Sequence, residues 1–121
     1  MKFQWTKHKK LWDKLANTNE IQKCYEGLLR GDEDFDGDDV LREAKGNLIG
    51  EPYITYTCYA CDYTDKLGEP CPSCPLLSTP CHISGPYVDL CDSIESQDWE
   101  EVQRLCEVIR DLPVKPGVDY E

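Results

Sequence analysis

Histidine and methionine are scarce in this chain, which holds two of the first and one of the second in 121 residues. Little is left for general acid–base chemistry, where imidazole is the commonest participant. No nucleophile stands with a visible base partner, no Gly-rich phosphate loop is present, and nothing repeats beyond two paired cysteine knuckles. No apolar run approaches the length of a membrane span. The opening segment, Met1 to Lys10, is basic but lacks the apolar stretch of a secretory signal. The reading is a protein of a reducing cytosol, with no membrane partner and no enzymatic activity.

Cysteine, by contrast, is abundant, with eight residues. Four fall in two pairs: Cys58-Tyr59-Ala60-Cys61, nine residues, then Cys71-Pro72-Ser73-Cys74. Two thiolates three residues apart on a tight turn can face one ion. Two such turns supply four sulfurs at about 2.3 Å from zinc. Gly68 and Pro70 let the intervening segment fold back. In a reducing compartment thiolates favour metal over disulfide. Two disulfides, an iron–sulfur cluster or plain core cysteines are the alternatives. Cys81 or His82 could substitute for one ligand, or join Cys91 at a second metal, whereas Cys24 and Cys106 fall on apolar helix faces. A closed four-thiolate site is structural, because catalytic zinc keeps an open position.

The net charge is −11 and unevenly spread. Five lysines against Asp13 give the first fourteen residues +4, which leaves −15 for the remainder. Most of such a surface repels nucleic acid, so direct nucleic-acid binding is disfavoured and a partner with a basic surface is favoured.

Trp5, His8, Trp12 and Leu15 recur at helical spacing, with Leu11 and Ala16 beside them, and predict a helix over 5–16. Its tryptophans share the apolar stripe, so they read as core rather than as a base-stacking face. A second helix carries Ile21, Cys24, Tyr25, Leu28 and Leu29 and stops at Gly31. Residues 53–57 have the β-branched and aromatic content of a strand. Tyr87 to Cys91 fits a strand or a short helix equally. Trp99, Val102, Cys106 and Ile109 mark one last helix, beginning at Ser93 or Ser96 and running to about Leu112.

Between the second helix and the strand, Asp32 to Glu43 resembles the calcium loop of the EF-hand family position for position. Aspartate stands at 1, 3 and 5, Gly37 at 6 and Glu43 at 12. That resemblance implies Ca²⁺ held by Asp32, Asp34, Asp36, the Asp38 carbonyl and Glu43. Asp39 departs from the family's aliphatic eighth position, the following helix is short, and no second loop exists. The plainer reading is an acidic linker in which Asp38 or Asp39 caps a short helix.

Trp12-(x)2-Leu15-Ala16, the tyrosine-rich approach to Cys58, and Cys71-Pro72-Ser73-Cys74-Pro75-Leu76 with a later Cys81 resemble small uncharacterised proteins of tailed bacteriophages. The resemblance covers about residues 5–91. It implies a zinc-bound core and an intracellular life during infection, and no assigned activity. Together these features set the expectation: a small α+β domain, with three to four helices packed on a zinc knuckle- or ribbon-like core carrying a short strand or hairpin. Its parts would be a helical section 1–47 with the acidic loop 32–43, a zinc core 48–91, a helix 92–113 and a flexible tail 114–121. The expected role is an acidic, zinc-stapled phage protein that binds a host nucleic-acid enzyme or defence effector, as an inhibitor or nucleic-acid mimic. A nucleic-acid-associated zinc module or a Ca²⁺-responsive module is the alternative.

Overall fold

The computed structural model describes residues 2–31, 34–49, 59, 68, 75–76 and 85–121. Five helices occupy them: α1 Trp5–Asn17, α2 Glu20–Arg30, α3 Gly37–Ile49, α4 Pro86–Glu95 and α5 Trp99–Arg110. Four close into a ring, α1 against α5, α5 against α4, α4 against α3 and α3 against α1. The fifth, α2, packs on α3 and touches α4. The α+β expectation is therefore corrected: the described residues are helical, and their β-pairing is one isolated bridge between Phe3 and Tyr120. Residues 53–57, read as a strand, lie outside the described residues.

The helices pack on one another because each carries its own apolar stripe. Leu11, Trp12, Leu15 and Ala16 of α1 are buried with Val40, Leu41 and Ala44 of α3. Leu90 and Ile94 of α4 and Val102, Leu105, Cys106 and Ile109 of α5 complete the interior. Each fully buried leucine or isoleucine stabilises the fold by roughly 1.5–3 kcal/mol. Tyr59, inside the first cysteine pair, joins this core.

Tyr87 to Cys91 resolves as helix. Gly85, at φ 99, turns the chain, and Pro86 then sets the first helical residue. This moves residues 86–91 out of the expected zinc core and into the bundle. The last helix, expected to begin at Ser93 or Ser96, begins at Trp99 and ends at Arg110, and residues 92–95 belong to the end of α4. Ser96 Oγ returns to the Asp92 carbonyl at 3.0 Å, closing α4. Gln97 adopts φ 59, in the left-handed region that a helix cannot use. Asp98 then caps α5 by accepting from the Glu101 N–H at 3.3 Å.

The expected flexible tail is instead tied back to the chain's other end. Phe3 N–H donates to the Asp119 carbonyl at 2.8 Å, and Glu121 N–H to the Phe3 carbonyl at 3.0 Å. Thr6 N–H, an orphan donor in the first turn of α1, reaches the Glu121 carbonyl at 3.0 Å. No side chain caps α1, so main chain from the far end of the sequence does that work. Trp5 packs edge-on against Tyr120, with ring centroids 4.9 Å apart.

Candidate functional site

The acidic stretch before α3 was the second candidate site in the sequence. There Asp36 and Asp39 cap the helix reciprocally. Asp36 Oδ1 accepts from the Asp39 N–H at 2.9 Å, and Asp39 Oδ2 from the Asp36 N–H at 3.2 Å. This is the logic of a capping box, with aspartate in both roles. The helix starts at Gly37, the sixth position of the calcium-loop pattern, so Asp38 and Glu43 are helical. Asp38 Oδ1 accepts from the Tyr87 hydroxyl at 2.7 Å, and Asp38 Oδ2 lies 2.9 Å from Arg42 Nε. Glu43 and Asp34 are exposed, and Asp32 lies outside the described residues. Among the described residues, no three side chains of metal-binding type converge on one point. Cys58, Cys61, Cys71, Cys74, Cys81 and His82 lie outside the described residues.

The start of α3 is pressed onto α4. A Cβ on Gly37 would lie 2.4 Å from the Cys91 carbonyl oxygen, so the crossing requires glycine on steric grounds. This crossing gathers carboxylates around one thiol. Burial pushes the Cys91 thiol up to about 12; Asp38, Asp36 and Glu95 add to the rise, and Lys45 opposes it. Cys91 is thus held as a thiol at neutral pH, which makes it a poor nucleophile.

Lys45 is the residue that sequence reasoning missed. It is 1% exposed, in the interior of the bundle. Its Nζ donates to the Tyr87 hydroxyl at 3.4 Å and lies 5.7 Å from the Trp12 ring centroid. Tyr87 passes the chain of polar contacts on to Asp38, which is partly exposed. A signal was present. Val40, Leu41, Ala44 and Leu48 form the apolar stripe of α3, and Lys45 sits on it, four residues after Leu41.

On the neighbouring helix, His8 is buried beside Trp12 and Phe3. Its Nε2 lies 3.0 Å from the Ile109 carbonyl. A carbonyl can only accept, so Nε2 carries the hydrogen. Burial lowers the His8 pKa to about 4, against a smaller opposing effect of that hydrogen bond. Its core placement agrees with the stripe. Cys24 and Cys106 are likewise buried thiols, pushed up by burial to about 11 and about 12. A thiol held protonated in a core packs as a small apolar group.

Trp12 is 3% exposed. The Trp5 ring is covered by Lys9, whose Nζ stands 4.0 Å from its centroid, and by Tyr120. Trp12 is closed to a base, and Trp5 is partly buried. What the described surface offers is carboxylate: Glu26, Asp34, Asp39, Asp92 and Glu100 are all exposed. No helix is long and apolar enough to cross a membrane among the described residues. No family model, curated protein or solved structure matches the chain.

Proposed function

We propose that this chain is a binding protein, not an enzyme, whose anionic exterior engages the basic face of another protein. The observation that carries this reading is the net charge of −11, with no carboxylate buried among the described residues. Charge of this size raises association rates and rejects like-charged partners, while its salt sensitivity keeps binding reversible. The resemblance to phage proteins supports a host protein as the partner, in the host-cell cytosol. A nuclease, polymerase or defence effector that holds nucleic acid has the required basic groove. The acidic chain would occupy that groove and block it.

The zinc belongs to this proposal as an internal staple. Its support is the spacing of Cys58, Cys61, Cys71 and Cys74. A small domain gains folding free energy when a metal closes a loop.

The nucleic-acid-module alternative is weakened, because Trp12 is buried and Trp5 is partly buried against Tyr120. The calcium alternative must compete with the caps and contacts that Asp36 and Asp38 already make.

The test is a salt series on immobilised protein with host lysate, alongside a triple variant Asp34→Lys, Glu43→Lys, Asp92→Lys. These three side chains are exposed and outside the helix caps. Basic proteins should be retained at low salt, elute as salt rises, and be lost by the variant. Retention that ignores both salt and charge reversal would sink the reading.

A further inference from the structure

We infer that the patch formed by Tyr25, Leu29, Phe35 and Trp99 is a docking surface for a cationic amphipathic helix of another protein. This rests on the acidic-binder reading above and names the part of the surface that makes the specific contact.

Three rings meet edge-on here. The Tyr25 centroid lies 5.4 Å from that of Phe35 and 5.5 Å from that of Trp99. They come from α2, the segment before α3 and the start of α5. Phe35 and Trp99 are only partly buried. Leu29, one turn after Tyr25 on the same face of α2, is 57% exposed. A single exposed leucine needs no explanation, but this one shares a helix face with Tyr25, which is 9% exposed at the centre of the three rings. Aromatic anchors of this kind dominate binding energy where they are desolvated by a partner.

The charge pattern identifies the occupant. Every ring in the patch is flanked by carboxylates along the chain: Tyr25 by Glu26, Phe35 by Asp34 and Asp36, Trp99 by Asp98 and Glu100. All five are exposed. Five exposed carboxylates are thus carried by the same three segments as the rings. Apolar rings on segments this acidic complement a helix with apolar residues on one face and Lys or Arg on its flanks. Nucleic acid could stack on the rings, but its phosphates would meet these carboxylates. A second copy does not fit either. The chain's cationic helix is α1, and its apolar face, Leu11, Trp12 and Leu15, is already buried in its own core. An extended strand has no sheet edge to join among the described residues.

The experiment uses the full chain and a fluorescently labelled synthetic helix with leucines on one face and arginines on the others. A glutamate-flanked twin and a single-stranded oligonucleotide are the comparators, and binding is read by anisotropy. The arginine helix should bind, weaken as salt rises, and lose about tenfold or more in affinity with Leu29→Asp, a change at an exposed position. Glu26→Lys with Glu100→Lys should weaken it further, and the comparators should not bind. If the arginine helix binds with the same salt dependence but ignores Leu29→Asp, the docking patch is wrong while the acidic-binder reading stands. If it does not bind at low salt, both fail. Tighter binding of the oligonucleotide, or concentration-dependent self-association lost with Leu29→Asp, would also overturn the assignment.

Discussion

His8 on α1 donates its Nε2 hydrogen to the Ile109 carbonyl on α5, 3.0 Å away, joining residues 101 apart in sequence. The contact lies beside the bridge that pairs Phe3 with Tyr120, so the chain's two ends are fastened together at one place.

This imidazole makes stability depend on acid. Its pKa is about 4 in the fold against 6.5 ordinarily, so the unfolded chain takes up a proton more readily. The stabilisation is fully present above pH 6.5, falls as pH drops below that value, and is gone below about 4. The shift corresponds to roughly 3 kcal/mol at most. Urea titrations at pH 7 and pH 4.5 should show the loss. His8→Gln should flatten the pH dependence over that window, and an unchanged slope would rule His8 out as its source.

Gly37 tests the crossing of α3 and α4. Gly37→Ala places a methyl carbon 2.4 Å from the Cys91 carbonyl oxygen, which is main chain and cannot swing aside. The two helices must separate, at about 1–3 kcal/mol. The same substitution at Gly27, with open space around its Cβ position, should stabilise α2 by about 0.5–1 kcal/mol. Thermal midpoints of the two variants should move in opposite directions.

The buried contact between Lys45 and Tyr87 predicts non-additivity. Tyr87→Phe strips Lys45 Nζ of its hydroxyl and should cost about 1–3 kcal/mol. Lys45→Met keeps the stem's volume and removes the polar end, so it should be much milder. The double variant should recover part of the tyrosine loss. Strict additivity in a double-mutant cycle would show that the two groups are not coupled.

Asp36 and Asp39 form one reciprocal unit. Asp36→Ala should cost about 1 kcal/mol. Adding Asp39→Ala should cost less than it does alone, since its partner N–H belongs to the same cap. Calorimetry with Ca²⁺ on the native chain and on Glu43→Gln checks the competing use of this stretch. Heat that disappears with Glu43→Gln would give these carboxylates to calcium instead.

The zinc proposal is the most direct to measure. One equivalent of zinc should accompany reduced, folded protein, and Cys58→Ser should lower both metal content and thermal stability. Correctly folded protein without metal would remove the staple.

The five-helix pattern was legible only in part. The stripes of α1 and α2 follow from apolar residues at three- and four-residue steps, and their ends from Asn17 to Asn19 and Gly31. The buried state of His8, Cys24 and Cys106 follows from their place on those stripes and on that of α5. The start of α5 was legible to within a few residues, with Ser96 one of its two candidate starts, but the left-handed turn at Gln97 was not, because Ser96, Gln97 and Asp98 carry no proline or glycine to announce it. The state of Tyr87 to Cys91 was ambiguous, because five residues, four of them apolar, are too few to favour one period over the other.

What the sequence alone determined is therefore what depends on near neighbours: helical stripes, the sign and imbalance of charge, and the regular cysteine spacing. What only the tertiary structure decided is what depends on distant ones. Examples are the docking of Glu121 onto the first turn of α1, the tight contact of Gly37 with Cys91, and the burial of Lys45 against Tyr87 and Trp12. The physical reason is that a lysine's or a terminus's local preference is weak. Packing against residues tens of positions away outweighs it, and no local pattern encodes which residues those are.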